Sequence, residues 1–373
     1  MDFNQIEKEY EYFYAPKFNI LVDGESIFKF KRPAEIFSVT VNNSLDNADD
    51  FSFSVNNPIE VEANKRDFPY LRDGVFEVGK EIKILMGYKD HKSLETVLTG
   101  LITAVDITFP ANGISQLTVR GYDYSHKMMK EKRSENYGSS EQQVTFSDIV
   151  RRINSDQGYQ LDLSGVTNTR EQHRQIKQEQ ESDYDFIKKK LAERISYEFF
   201  VQQDKLFFRP PANDQTSFIT SLSWGKSLIS FSPQVNIANQ VSAVEVRHWD
   251  PASQQPIVGR ANAGDEQGRD RQGSSGAERV RQSQGETVQY IWRPINSQEE
   301  AENLARSILN KISEGLVKGS GECLGIPKIM PGMNIELTGL GKKFSKVYYI
   351  EKTIHSVSSS GYKTTFHVKE NMI

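Results

Sequence analysis

The sequence has one cysteine, a small excess of acidic residues and no long apolar run. Among its 373 residues only Cys323 carries a thiol, so no disulfide can form within the chain, and a lone thiol of this kind more often serves packing than chemistry. The net charge of −4 argues against nucleic-acid binding, because nothing overall attracts a phosphate backbone. No segment approaches the roughly 20 apolar residues of a transmembrane helix, and residues 1–4 lack the pattern of a signal peptide. We therefore expect a protein made in the cytoplasm that leaves its cell by lysis or within a particle.

Catalytic and metal-binding motifs are also missing from the sequence. It contains no Gly-x-Ser-x-Gly elbow and no Gly-x-x-x-x-Gly-Lys-Ser/Thr phosphate loop. None of the six histidines has a second one at the i, i+4 spacing of a helical zinc site. His355 and His367 fall on neighbouring predicted strands, but core or surface imidazoles are the simpler interpretation. We predict no catalytic residue, no metal site and no cofactor. The histidines are His91, His126, His173, His248, His355 and His367.

Two local clusters allow a functional and a structural interpretation. Paired carboxylates of the kind that hydrolyse glycosides occur between residues 179 and 185, but carboxylates at a helix start also accept free N–H groups and complement the helix dipole. The aromatic run at residues 10–14 could stack on sugars, or it could dock on its own domain or a neighbour. We favour the structural interpretation of both clusters. The acidic residues are Glu179, Glu181, Asp183 and Asp185.

Residues 1–122 form a first predicted β domain. Apolar and polar residues alternate in short runs separated by Gly, Asn and Asp, which is the pattern of antiparallel strands with one wet face. A hairpin signal at Asp23–Gly24 separates the first two runs. The predicted strands cover residues 18–22, 27–30, 37–41, 51–55, 82–85 and 117–119.

Residues 123–216 form a predicted α+β insertion domain. Thr145-x-x-Asp148 resembles a capping box, and apolar residues follow it at helical spacing up to Gly158. Ser182-x-x-Asp185 begins a second predicted helix. A hairpin over residues 197–208 completes the domain.

Residues 217–373 form the third predicted domain, in which strands return at 228–231 and 241–246. Between 250 and 286 the composition shifts to Gly, Gln, Arg, Asp and Ser, which predicts a long mobile excursion because little surface can be buried. Its arginines alternate with acidic residues, which favours a solvated loop over a nucleic-acid patch. Ser297-x-x-Glu300 then caps a predicted helix over 297–314 with one apolar face. The arginines are Arg260, Arg269, Arg271, Arg279 and Arg281, and the acidic residues are Asp265, Glu266, Asp270 and Glu278.

The end of the chain resembles an earlier stretch. Residues 76–84 and 329–337 each set a Gly before an alternating strand. Each is followed by a second strand, 100–105 or 349–357, then by a Gly turn and a final strand, 117–120 or 364–368. Two antiparallel meanders can also look alike by chance. We predict a β-rich, multidomain α+β chain with two tube-like antiparallel β-barrel domains, related by internal duplication, and α/β insertions.

Three phrases together resemble the phage late control protein D family, the tail hub proteins of contractile phages. The first is residues 117–127, a strand running into Gly121-Tyr122-Asp123. The second is residues 180–187, Gln-Glu-Ser-Asp-Tyr-Asp-Phe-Ile, followed by Leu191-Ala192. The third and most specific begins at Gly325-Ile326-Pro327 and includes Pro331-Gly332-Met333, Gly339-Leu340-Gly341, Tyr348-Tyr349-Ile350, His355, Gly361-Tyr362 and Phe366. Relatives of this family form the N-terminal half of type VI secretion spike proteins and the hubs of extracellular injection systems.

The resemblance implies a non-enzymatic baseplate hub of a phage tail or injection-system particle. Such a hub is a homotrimer that joins the sixfold tail tube to the threefold spike, so its expected partners are a spike protein, the first tube ring and baseplate wedge proteins. Type VI spike proteins continue into a further barrel and a β-helical needle, whereas this sequence stops at Ile373. We therefore expect the spike to be a separate protein or to have been removed. A carbohydrate-binding tail adhesin and a peptidoglycan-cleaving tail enzyme are the alternatives.

Overall fold

The computed structural model describes residues 3–10, 13–30, 34–62, 65–68, 70, 74–88, 93–251, 253–267, 273–295 and 297–373. His91, Arg269, Asp270 and Arg271, which the sequence singled out, lie outside these ranges. The main feature is a 13-stranded, largely antiparallel sheet, accompanied by four small sheets and several helices. This confirms the predicted β-rich α+β class. Within the described ranges, no helix is long and apolar enough to cross a membrane.

The first segment is almost entirely β-structure, preceded by helix α1 (Phe3–Glu9). The predicted strand at 27–30 is wrong. Lys29 N donates to Ser26 O, which turns the chain directly after β2, while Ile27 is buried in the core. The strands are β1 (Lys17–Val22), β2 (Glu25–Ser26), β3 (Ile36–Ser44), β4 (Asp50–Asn56), β5 (Glu60–Glu62), β6 (Lys65–Asp67), β7 (Glu81–Gly87), β8 (Glu95–Thr108) and β9 (Gln116–Asp123).

The middle segment has its own hydrophobic core, in which α3 packs against the helical stretch that starts at residue 183. Both predicted caps form: Asp148 N donates to Thr145 Oγ1 (3.2 Å), and Asp185 N donates to Ser182 Oγ (3.1 Å). The helical stretch continues as a π-helix (Phe186–Ala192) and a 3-10 turn (Glu193–Ile195). The other elements are α2 (Ser125–Lys130), β10 (Lys132–Tyr137), α3 (Phe146–Asp156), β11 (Asp162–Val166), β12 (Ile176–Ser182), α4 (Asp183–Asp185), β13 (Glu198–Gln202) and β14 (Lys205–Arg209).

The last segment returns to the large sheet and adds a small three-stranded sheet covered by a helix. That helix, α6, begins where Glu300 N donates to Ser297 Oγ (3.1 Å), and it buries Leu304 and Leu309 against the small sheet. The elements are β15 (Ser221–Ser223), β16 (Leu228–Val235), β17 (Ala243–Asp250), β18 (Gln255–Asn262), α5 (Gly276–Gln284), β19 (Val288–Trp292), α6 (Gln298–Ser313), β20 (Val317–Leu324), β21 (Asn334–Thr338), α7 (Gly341–Phe344), β22 (Lys346–Ser358) and β23 (Gly361–Glu370).

For the described parts of residues 250–286, the prediction of an excursion without packed structure is wrong. β18 pairs with β17 along its whole length, and α5 starts with a capping box between Ser275 and Glu278. Small residues account for the burial that the composition hid, since Ala261 and Ala277 are fully covered and belong to the core under α6. A strand needs an apolar residue only at every second position, so a polar composition does not exclude it.

Strands from the first and last segments share one sheet and one core. The sheet order is β16-β20-β23-β22-β3-β4-β9-β8-β7-β1-β2, and off this path β21 pairs with β22 and β15 with β21. A single cluster of buried side chains runs from Ile6 to Val368. The domain boundaries 1–122, 123–216 and 217–373 remain a prediction. The pairing of β22 with β3 is the joint between the two β-rich segments.

Candidate assembly interface

Two five-stranded ladders within the large sheet have the same strand order. Each ladder begins in the sequence with two paired strands. Three further strands then form an antiparallel meander, and the last of these three pairs with the second strand of the ladder. Ladder A runs β3-β4-β9-β8-β7, and ladder B runs β16-β20-β23-β22-β21. The two ladders differ in the strand that pairs with their last member: β1 is antiparallel to β7 in ladder A, whereas β15 is parallel to β21 in ladder B.

Each ladder has bulges at corresponding places. In the first strand the register shifts between Ile36 and Ser38 in ladder A, and between Leu228 and Ser230 in ladder B. The fourth strands shift as well, between residues 102 and 104 in β8 and between residues 350 and 352 in β22. A bulge adds one unpaired residue and bends the strand, so matching bulges give the two ladders matching bends.

The segments before the third strands also make the same hydrogen bonds. In ladder A, Gly79 N donates to Ile102 O (2.8 Å) and Ile102 N donates to Lys80 O (3.0 Å). In ladder B, Gly332 N donates to Ile350 O (2.9 Å) and Ile350 N donates to Met333 O (2.9 Å). Both glycines have positive φ angles, 96° and 78°, which glycine adopts without strain.

Within the chain, the far half of β22 closes onto the first strand of ladder A. Residues 352–358 pair with β3, from Lys352 opposite Ser44 to Ser358 opposite Ser38. His355, which lies opposite Val41, is completely buried at this joint. The joint therefore pairs the second half of β22, from ladder B, with the outer edge of β3, from ladder A.

Buried carboxyl groups lie beside this joint. Asp49 accepts hydrogen bonds from Asn43 Nδ2 and Ser44 N, both at 2.7 Å, and Asp123 accepts one from Ser125 Oγ (2.6 Å). Burial raises the pKa of Asp123 to about 7. Burial, together with the neighbouring Asp123 carboxyl, also raises the pKa of Asp49. The pair therefore favours a protonated state at a site that solvent does not reach.

In ladder A the end of β8 corresponds to the half of β22 that pairs with β3, and in ladder B the outer edge of β16 corresponds to that of β3. In the described part of the chain, neither of these two edges has a strand beside it. β8 pairs with β7 only through residues 95–101, so 104–108 have one open side. Among the described strands, residues 230–235 of β16 pair with β20 alone. We call residues 104–109 the β8 edge and residues 230–235 the β16 edge.

Apolar side chains are exposed on both edges. Ile107 and Phe109 on the β8 edge are 39% and 60% exposed, and Val235 on the β16 edge is 38% exposed. Ile107 occupies the ladder position that His355 occupies in ladder B, where β3 covers it. Long apolar strand edges are templates for pairing with another chain.

Two of the described histidines stack on aromatic rings. His173 stacks on Phe146 at 4.4 Å between ring centroids, and His126 stacks on Tyr122 at 4.7 Å. His355 and His367 do lie on neighbouring strands, where His355 pairs with Thr364 and His367 with Lys352. Within the described ranges, no three His, Cys, Asp or Glu side chains are grouped so that they could hold a metal ion.

The acidic cluster at 179–185 caps and pairs rather than forming an open carboxylate site. Asp183 is buried and accepts hydrogen bonds from Tyr159 Oη (2.7 Å) and Gln178 Nε2 (2.8 Å). Asp185 pairs with Lys189 at 2.7 Å, and the ammonium group lowers the pKa of that carboxyl. Cys323 is fully buried, and burial raises the pKa of its thiol, which disfavours the nucleophilic thiolate.

Two residues of the aromatic run at 10–14 dock on the chain's own first segment, whereas Tyr14 is 83% exposed. Tyr10 is buried, its hydroxyl donates to Glu95 Oε1 (2.6 Å), and its ring lies 5.6 Å from that of Tyr88. Phe13 meets Tyr88 edge-on at 5.3 Å. Tyr12 lies outside the described residues.

Sequence inspection missed an aromatic surface on the small sheet. Trp249, Tyr290 and Trp292 are all more than half exposed on β17 and β19. The alternation of Val244 and Val246 with Glu245 and Arg247 in the sequence could have indicated that Trp249 lies on the face opposite the valines.

Solved structures with this fold include phage tail proteins and a component of a secretion system. The 43 kDa tail protein of prophage MuSo2 from Shewanella oneidensis superposes with a TM-score of 0.70 at 10% identity, covering 95% of this chain and 98% of that one. A tail protein from Neisseria meningitidis MC58 gives 0.68 at 12% identity, covering 96% and 97%. E. coli c3393, described as a type VI secretion component similar in structure to the T4 tail proteins gp27 and gp5, gives 0.55 at 12% identity, covering 95% and 77%.

The chain therefore shares its fold with phage tail proteins, as the resemblance drawn from the sequence predicted. The chain belongs to the family described as the Alg8 N-terminal domain, whose model matches residues 14–359. No curated protein matches the chain by sequence.

Proposed function

We propose that this protein is a structural hub of a phage-type tail or contractile injection machine. In this proposal three copies form a ring that joins a sixfold tube to a threefold spike. The correspondence between ladder A and ladder B is the observation that carries it. Shared strand order, two shared bulges and the same pair of hydrogen bonds support an internal duplication. Three chains with two similar ladders each offer six similar surfaces on a threefold particle.

The joint within the chain predicts the joint between chains. We assume that the β8 edge of one copy pairs with the β16 edge of the next copy in the same way as β22 pairs with β3. The register of the β22–β3 pair then fixes which residues of the two edges lie opposite each other. Val105 then lies opposite Val235, Ile107 opposite Pro233 and Phe109 opposite Phe231. These are apolar pairs, which is the composition that a buried contact requires. Pro233 has no N–H group and adds no donor to the new ladder.

The first test is the mass of the full chain in solution by light scattering. We expect a trimer that Val235→Asp converts to a monomer, because a carboxylate cannot be buried against Val105 without a partner. Trp249→Asp is the control, since Trp249 is also exposed but lies on the small sheet rather than on either ladder. A wild-type chain that stays monomeric at every concentration would contradict self-assembly through these edges.

The second test is the register itself. Directly opposed residues have Cβ atoms about 4.5–5.5 Å apart, close enough for a disulfide after a small adjustment. We expect a Val105→Cys, Val235→Cys double variant to form a covalent trimer under oxidation, and an Ile107→Cys, Val235→Cys variant, shifted by two residues, to crosslink poorly. Equal crosslinking of both variants would overturn the proposed register. Images of the intact particle with three copies in a pseudo-sixfold ring provide the decisive measurement.

A carbohydrate-binding adhesin is a second candidate, and the exposed aromatic residues on one face of the small sheet favour it. This hypothesis also requires measurable glycan binding. A peptidoglycan-cleaving enzyme requires a carboxylate pair in a cleft, whereas Asp49 and Asp123 are buried and Asp183 and Asp185 have their own partners. A zymogram that shows clearing would reinstate the enzyme hypothesis.

A further inference from the structure

The small sheet, in the order β18-β17-β19, has one face covered by α6, and we call the opposite face, whose aromatic side chains are exposed, the open face. Val244 and Val246 point towards α6, so the residues between them point away. Glu245 lies beside Tyr290, and Arg247 lies beside Trp292, in the parallel pairing of β17 and β19. This small sheet is separate from the large sheet that contains the β8 and β16 edges.

The open face presents aromatic side chains to solvent. Trp249, Tyr290 and Trp292 are 55%, 54% and 70% exposed. The guanidinium of Arg247 lies 4.8 Å from the centre of the Tyr290 ring, which confirms that the two side chains share the face. Trp, Tyr and Arg are the residue types that contribute most to binding energy at protein interfaces.

The charges on this face are already neutralised. Glu245 pairs with Arg247 and with Arg260 (3.2 Å), and Arg260 also pairs with Glu286. No arginine of this group is left to attract an anion, so the face is poorly suited to a nucleic acid or an acidic glycan. Its chemistry fits an uncharged, partly apolar partner.

Strand β19 also has an open backbone edge. Thr287 O accepts from Ala243 N and Arg293 N donates to Arg247 O, so the odd-numbered residues of β19 turn their backbone groups towards β17. Alternation then turns the N–H and C=O groups of Val288, Tyr290 and Trp292 outward. No described strand pairs with this edge. The strand Val-Gln-Tyr-Ile-Trp contains no charge, proline or glycine that would block pairing.

We propose that β19 is a docking site for an extended, uncharged segment of a partner protein. The segment adds to the sheet as a fourth strand, pairs with the outward groups of Val288, Tyr290 and Trp292, and places alternate apolar side chains beside the exposed aromatic rings. Main-chain hydrogen bonds supply affinity in this mode, and the aromatic face supplies specificity.

Selection of a display library of ten-residue peptides on the full chain tests this proposal. We expect selected sequences without charge and with alternating β-branched or aromatic residues. Their affinity is measured by calorimetry on wild type, Trp292→Ala, Tyr290→Ala and Tyr290→Pro. Proline removes the outward N–H of residue 290 without disturbing the pairing to β17, so Tyr290→Pro isolates the edge bond when compared with Tyr290→Ala.

We expect Tyr290→Pro to bind about five to ten times more weakly than Tyr290→Ala, the loss that one hydrogen bond explains. Trp224→Ala, at an exposed tryptophan outside the small sheet, should bind like wild type. Melting temperatures of all variants establish that they fold. The proposal fails if no peptide is selected, or if selected peptides bind Tyr290→Pro and Tyr290→Ala equally. The proposal also fails if the face binds neutral oligosaccharides instead. In that case Trp292→Ala would abolish oligosaccharide binding, whereas Tyr290→Pro and Tyr290→Ala would bind oligosaccharides equally.

Discussion

At the scale of single residues, His355 shows how the chain keeps a titratable group neutral inside the sheet. Its Nε2 lies 3.0 Å from the carbonyl oxygen of Ile329, which can only accept, so Nε2 carries the proton and Nδ1 is the acceptor. The hydroxyl oxygens of Tyr362 and Thr364 lie 2.9 and 3.1 Å from Nδ1. His355 and Tyr362 belong to the third phrase that resembles the tail hub family, and here they form one buried network.

The first prediction concerns the pH dependence that His355 creates. Burial lowers its pKa to about 4, below the usual value near 6.5, so the unfolded chain binds a proton first as the pH falls. Stability from this residue is present above pH 6.5 and is lost as the pH falls towards 4, by up to about 3 kcal/mol. His355→Gln should have a shallower loss of unfolding free energy than wild type over this range in urea titrations.

Thr365→Val, on the neighbouring strand, changes no titratable group and should keep the wild-type slope. Asp123 acts in the opposite direction, because its raised pKa costs stability as the pH climbs from about 4 to 7. The difference between variant and wild type is therefore the informative quantity. An identical slope for His355→Gln and wild type would contradict the network described here.

At the scale of elements, the packing of α6 on the small sheet depends on a missing side chain. A Cβ at Gly259 in β18 would overlap the backbone of Ala301 and Glu302 in α6. α6 therefore lies closer to β18 than a residue with a side chain at position 259 would allow. Periodicity predicted α6, but nothing in the sequence indicates which strand its backbone touches.

We predict that Gly259→Ala destabilises the protein by about 1–3 kcal/mol, the usual cost of forcing an extra group into a packed contact. Urea unfolding followed by tryptophan fluorescence measures the loss. Val258→Ala changes the adjacent residue, which faces the other side of the sheet, and should stay within about 1 kcal/mol of wild type. If Gly259→Ala were as stable as wild type, the close approach of strand and helix would be wrong.

At the scale of the whole molecule, two β-rich segments distant in sequence form one continuous sheet. β22 pairs with β3 across more than 300 residues of chain. The same geometry, applied once more at the β8 and β16 edges, would extend the sheet from copy to copy. A folded chain whose edges pair with other copies gains stability from its own concentration.

The proposed trimer therefore predicts a melting temperature that depends on concentration. For a chain of this length, a tenfold increase in protein should raise the midpoint by about 1 °C. Scanning calorimetry over a hundredfold range resolves such a shift. Val235→Asp should melt at the same temperature throughout, and a wild-type midpoint that does not move would argue against the trimer.

Local signals in the sequence were enough to predict many elements. The capping side chains of Thr145, Ser182 and Ser297 bond within three residues, and strand alternation reflects one buried face, so neither needs distant contacts. The similarity of residues 76–84 to 329–337 is also visible without coordinates. Composition misled at 250–286, where small buried residues such as Ala261 do the packing.

The sequence by itself determined the β-rich class, the helix starts and the paired meanders, because these depend on periodicity and short-range hydrogen bonds. Only the tertiary structure decided that β22 closes on β3, that the β8 and β16 edges stay open, and that β19 exposes its aromatic face. Strand partners and open edges follow from contacts between residues hundreds of positions apart, and no local pattern specifies them.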